Sequence, residues 1–244
     1  MTEEYHGKSL YRLEYISALL VPILIAILDS NLLSFKIIIP VIGWILLGIG
    51  MNLMNDAIDC DRRINLSKRS LLYLSLVATV LGLWMTSSYN FLYALGFVFL
   101  ISFYNLKLKK IPFLNIVILA AGYMILGYLA FAASPKILTL SALFFAGLAS
   151  QLIHDVADQD ATSGYLKNKA VNLTIIATVF FFLITSYLAI KIGSFWLPVP
   201  LISGIALYET IRCRNKLEKW PEIKETSTEA FKFAVIYLIV FLIK

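Results

Sequence analysis

Asn55-Asp56-Ala57-Ile58-Asp59-Cys60-Asp61 ends one long apolar run of this chain, and His154-Asp155-Val156-Ala157-Asp158-Gln159-Asp160 ends another. Each segment reads D-x-x-D-x-D. Around them the 244 residues are 60% hydrophobic and 15% charged, with a mean hydropathy of +0.83. A soluble chain carries about a quarter charged residues. Six of only 15 acidic residues therefore crowd into two short segments where apolar runs stop. Ionisable groups at a membrane edge are functional candidates by default.

The apolar surplus is arranged in stretches that read as membrane spans. Nine are expected: Tyr15–Leu28, Ile37–Met54, Leu71–Met85, Phe91–Phe103, Ile111–Ala132, Leu138–Ile153, Val171–Ile190, Phe195–Tyr208 and Ala230–Ile243. The shorter ones need flanking residues to reach the ~20 of a full span. The first follows charged and polar residues and precedes no small-residue cleavage site, so it reads as retained. No linker, low-complexity stretch or composition break divides the chain, so residues 1–244 read as one domain. Cys60 and Cys213 suggest no disulfide framework.

Nine spans make the loops alternate sides. One side then holds 17 of the 21 Lys and Arg; the other holds only Lys36, Lys136, Lys191 and Lys244. The rule that basic loops stay inside puts the N-terminus and both acidic segments in the cytoplasm. Asp29 is the sole acid on the outer side. The net charge of +6 is thus a signature of topology and gives no reason to invoke nucleic acid. The long polar stretch 209–229, with Pro221 inside it, reads as a surface helix or ordered connector.

Span 2 runs into the first acidic segment and span 6 into the second. Each is followed by bases, Arg62, Arg63, Lys68 and Arg69 in one case, Lys167 and Lys169 in the other. On a helix, residues three apart share a face, so Asp56 pairs with Asp59 and Asp155 with Asp158. Asn52 and Asn55 lie on or near the first pair's stripe. Asp61 and Asp160 join only if the helix ends there. Hard cations such as Mg²⁺ take oxygen ligands, commonly one or two carboxylates with waters and substrate phosphates. Without a cation the clustered carboxylates repel one another. Two carboxylate pairs with neighbouring bases match a diphosphate bridged by Mg²⁺.

These residues resemble the UbiA superfamily of intramembrane prenyltransferases. Asn55, Asp56 and Asp59 match the first fixed positions of its N-D-x-x-D-x-x-x-D motif. Asp155 and Asp158 match the second motif, with His154 where Asn is frequent. Tyr104-Asn105-Leu106-Lys107-Leu108-Lys109-Lys110 is similar to the family's Tyr and bases after the fourth helix. The last motif Asp is replaced by Arg63 and Thr162, while Asp61 and Asp160 arrive two residues early. The loops after both motifs are short.

The resemblance implies an all-α integral membrane bundle of about nine transmembrane helices around a central cavity. It implies Mg²⁺ at Asp56, Asp59, Asp155 and Asp158, with Asp61 and Asp160 as further ligands if the backbone allows. It implies an isoprenyl diphosphate held by Asn52, Asn55, Lys68, Arg69, Tyr104, Lys107, Tyr123, Lys167 and Lys169. A lipophilic or aromatic acceptor drawn from the membrane lipid phase would take the prenyl group. Tyr104, Tyr123 and Tyr128 are candidate cavity aromatics for a cationic transition state. The alternatives are a terpene cyclase on the same fold, a transporter with two repeats, or a non-catalytic membrane homologue.

Overall fold

In the hydrocarbon interior each unpaired backbone N–H or C=O costs several kcal/mol, so long apolar runs close their own hydrogen bonds as helices. The computed structural model describes residues 13–32, 34–59, 66–108, 111, 114–157 and 167–243. Among them are nine helical rods and no strand. They are α1 (Leu13–Asp29), α2 (Ile38–Asp59), α3 (Lys68–Thr86), α4 (Phe91–Leu106), α5 (Leu114–Phe131), α6 (Ile137–Ala157), α7 (Lys167–Ile192), α8 (Val199–Arg212) and α9 (Trp220–Ile243). Six are long and apolar enough to cross a membrane; α1, α4 and α8 are shorter. The protein is an integral membrane protein.

The rods alternate direction, so the C-terminal ends of α2 and α6 lie at one end of the bundle, called here the motif end. There the end of α4 is tied to α2 by Asn105, whose buried amide donates to the Met51 carbonyl at 3.2 Å. Ile153 and Val156 of α6 pack with Ala170 and Val171 of α7 and with Trp220 and Ile223 of α9.

α2 and α3 are nearly in backbone contact. A Cβ on Gly82 would sit 2.8 Å from the Gly43 carbonyl, and one on Gly50 would sit 2.6 Å from Thr79 Oγ1. Ser75 Oγ donates to the Gly50 carbonyl at 2.7 Å. Such small-residue seams are how membrane helices gain packing where no hydrophobic effect drives association. Deeper in, aromatic rings fill the space between α2, α4 and α5. Trp44 lies edge-on to Phe97, with centroids 5.3 Å apart, and Phe97 lies edge-on to Tyr123 at 5.8 Å.

The polar stretch 209–229 is largely exposed, as its reading as a surface helix or connector expects, but most of it belongs to the two flanking rods. α8 continues to Arg212, and α9 begins at Trp220 and runs unbroken to Ile243. Pro221 is accommodated because a helix's first turn has no intrahelical partner for its N–H groups. Trp220 Nε1 donates to the Cys213 carbonyl at 3.2 Å, closing the turn between the two rods.

Candidate active site

The last two turns of α2 carry Asn52, Asn55, Asp56 and Asp59 along one stripe. Asp56 is 3% exposed and Asp59 is exposed. A carboxylate buried this deeply requires hydrogen bonds or a positive partner. α6 brings Asp155 to the same end of the bundle, half-buried. Gln151, one turn earlier, donates from Nε2 to Asp155 Oδ1 at 3.2 Å. α6 ends at Ala157, and Asp61, Asp158 and Asp160 lie outside the described residues, as does the side chain of Lys167.

α5 links the two motif helices. Five of its residues, Ala121–Ile125, form a π-helical turn. Such turns insert one residue into the α register, re-aim neighbouring side chains and are frequent at functional sites. Tyr123, inside the turn, donates from its hydroxyl to Asn52 Oδ1 at 3.2 Å. On the other side Met124 and Ala120 lie against Gly147 of α6, one turn before Gln151.

The bases are distributed unevenly. Lys68 and Arg69 are exposed in the first turn of α3, which Ser67 caps by accepting from the Ser70 N–H at 3.1 Å. A helix N-terminus with two bases favours an anion. Lys169 is exposed in the first turn of α7. Tyr104 is buried, 6% exposed, at the end of α4. Lys107, which follows it, places its Nζ 6.0 Å from the centroid of Phe103, itself an exposed ring. Gln151 was not anticipated from the sequence, although its i, i+4 spacing from Asp155 is a readable signal.

Among the described residues the motif carboxylates and amides offer oxygen donors, which suit a hard cation. No group of three or more His, Cys, Asp or Glu able to hold a metal occurs among the described residues. Asp56, Asp59 and Asp155 are the motif carboxylates that the described residues bring to this end, and Mg²⁺ commonly takes one or two carboxylates with waters and substrate oxygens.

An apolar cavity lies elsewhere. It is walled by Ala142, Ala146, Ala149 and Ile153 on α6 and opens away from the acids. At 100° per residue these positions occupy the face of α6 opposite Asp155.

No family model matches the chain, and no curated protein matches it. Solved structures do. A UbiA homologue from Archaeoglobus fulgidus bound to Cd²⁺ aligns with a TM-score of 0.70 at 15% identity, over 98% of this chain and 99% of that one. The same homologue bound to GPP and Mg²⁺ aligns at 0.69 and 13% identity, over 98% and 99%. Bound to DMAPP and Mg²⁺ it aligns at 0.64 and 13%, over 94% and 99%. Agreement along essentially the full length of both chains shows that this protein has the fold of the UbiA superfamily.

Proposed function

We propose that this protein is an intramembrane prenyltransferase, transferring the prenyl group of an isoprenyl diphosphate to a lipophilic or aromatic acceptor with Mg²⁺. The observation that carries the reading is the pair of acidic helix ends, on α2 and α6, at one end of a fold whose A. fulgidus example binds GPP or DMAPP with Mg²⁺. The whole chain acts as one domain, with its N-terminus and site on the cytoplasmic side of a prokaryotic cell membrane. The asymmetry of 17 bases against four supports that orientation.

Asp56, Asp59, Asp155 and Asp158 would hold the metal, with Asp61 and Asp160 near enough in sequence to assist. Bound there, Mg²⁺ supplies Lewis-acid stabilisation of the leaving diphosphate. Lys68, Arg69, Lys167 and Lys169 neutralise the rest of its charge, and the N–H groups at the start of α3 add to them. Tyr123 orients the Asn52 amide by donating to its carbonyl, and Gln151 holds Asp155. Such supporting hydrogen bonds fix ligand geometry. The C1–O bond of the prenyl diphosphate breaks and the electron pair leaves with pyrophosphate. The acceptor's carbon or oxygen bonds to C1 and loses a proton.

Purified protein given a prenyl diphosphate, Mg²⁺ and a lipophilic or aromatic acceptor should release pyrophosphate and form the prenylated acceptor, and chelation of the metal should stop both. Asp56→Ala/Asp59→Ala and Asp155→Ala/Asp158→Ala should each abolish release while the protein stays monodisperse. Activity retained in both double variants overturns the site.

A further inference from the structure

The apolar cavity on the far face of α6 has a volume of about 380 Å³. That is within the ~300–1,000 Å³ range of binding pockets. It lies among α6, α7, α8 and α9, with Val21 and Ile25 of α1 along one side. At the motif end its lining includes Glu209, Thr226, Ser227 and Glu229; at the other it meets Phe195 and Trp196, both buried. Ile205 of α8 and Phe233 of α9 line it and are also 48% and 59% exposed. The cavity therefore reaches the outer surface at the seam between these two rods.

Around it α8 and α9 turn apolar side chains outward, among them Leu201, Ile236 and Val240. The medium at the seam is bilayer hydrocarbon. Water entering would find too few polar partners to stay, and an empty void would leave its walls without dispersion contacts. On α8 the lining runs from Val199 to Glu209, about 15 Å at 1.5 Å per residue. On α9 it runs farther, from Ile223 to Leu238, about 22 Å, so the cavity is as deep as one leaflet of a ~30 Å hydrocarbon core or somewhat deeper. The two glutamates that line the mouth are each paired with a base beside it. Glu209 pairs with Arg212 at 2.7 Å, and Glu229 with Lys232 at 2.6 Å. A mouth of paired opposite charges suits a headgroup that carries both signs.

We propose that this cavity binds one acyl chain of a zwitterionic phospholipid, entering from the motif-end leaflet through the α8–α9 seam. The site is separate from the acidic one and does not depend on the prenyltransferase reading. Trp196 lies where the end of the chain would lie, and it is 1% exposed. A variant keeping only this tryptophan (Trp44→Phe, Trp84→Phe, Trp220→Phe) is reconstituted in phosphatidylcholine brominated near the acyl terminus. Trp196 emission should be quenched as strongly as that of lipid-exposed Trp84 in the matching single-tryptophan variant. Filling the cavity with Ala206→Phe or Ala146→Phe should restore Trp196 emission and leave Trp84 quenching unchanged. Unquenched Trp196, or quenching that persists in both filled variants, overturns the proposal. Should the tryptophan replacements prevent folding, native mass spectrometry of the wild-type protein decides. One retained zwitterionic phospholipid, lost in Ala206→Phe, supports the site; no retained lipid, or an anionic one, overturns it.

Discussion

At the end of the bundle away from the motifs, Asp29 is almost wholly enclosed, its side chain 2% exposed. It accepts from Tyr128 Oη at 2.9 Å, Thr139 Oγ1 at 3.0 Å and Lys136 Nζ at 3.2 Å. These bonds join the end of α1 to the end of α5 and the start of α6. Charge patterning marked Asp29 only as the exception to the acid asymmetry. Its partners lie 99 to 110 residues away, and no local pattern reports contacts that distant. The same limit hid the Tyr123–Asn52 bond, whereas Asp56 and Asp155 were legible because an acid ending an apolar run is visible in a window of ten residues. Hydrogen bonds to a charged group contribute about 1.5–3 kcal/mol each, and half-exposed ion pairs about 0–1 kcal/mol. Asp29→Ala should therefore lower stability by roughly 3–6 kcal/mol, seen as a clear drop in melting temperature in detergent. Lys136→Met, at a side chain 47% exposed, should cost no more than about 1 kcal/mol. Equal losses would show that the ion pair, and not the two hydroxyls, holds this end together.

At the scale of elements, apolar runs located the helices but not their ends. α9 begins at Trp220, ten residues before the expected Ala230, because its first turns are polar and charged. Exposed i, i+3 pairs, Lys219–Glu222 and Glu229–Lys232, accompany them, and hydropathy does not register such turns. The π turn of α5 was not legible either, since its register depends on what α2 and α6 press against it. The α2–α3 seam offers a sharper test. A Cβ on Gly82 meets the Gly43 carbonyl at 2.8 Å and Leu47 Cγ at 2.8 Å, and a backbone carbonyl cannot step aside. A Cβ on Gly96 of α4 meets nothing within 4 Å. Alanine favours a helix over glycine by about 1 kcal/mol, whereas overpacking costs about 1–3 kcal/mol. Gly96→Ala should therefore leave the melting temperature unchanged or raise it, and Gly82→Ala should lower it. A gain at Gly82 would mean that the seam is looser than these distances.

At the scale of the whole molecule, nine rods followed from nine apolar runs because a bilayer permits few alternatives to helix. Which way the bundle sits is set by charge. Bases cluster at the motif end with the acidic segments, and the proposed prenyl diphosphate, too charged to cross hydrocarbon unaided, would have to reach the acids from that side. The positive-inside rule assigns that side to the cytoplasm. Two exposed positions test this. Ser88 lies in the turn between α3 and α4 at the base-poor end, and Asn215 lies between α8 and α9 at the motif end. In a background with Cys60→Ser and Cys213→Ser, a membrane-impermeant maleimide should label Ser88→Cys on intact cells. Asn215→Cys should react only after the membrane is opened. The reverse pattern would put Asp56 and Asp155 outside the cell, away from cytoplasmic diphosphates, and the prenyltransferase reading would lose its substrate even with the acidic site intact.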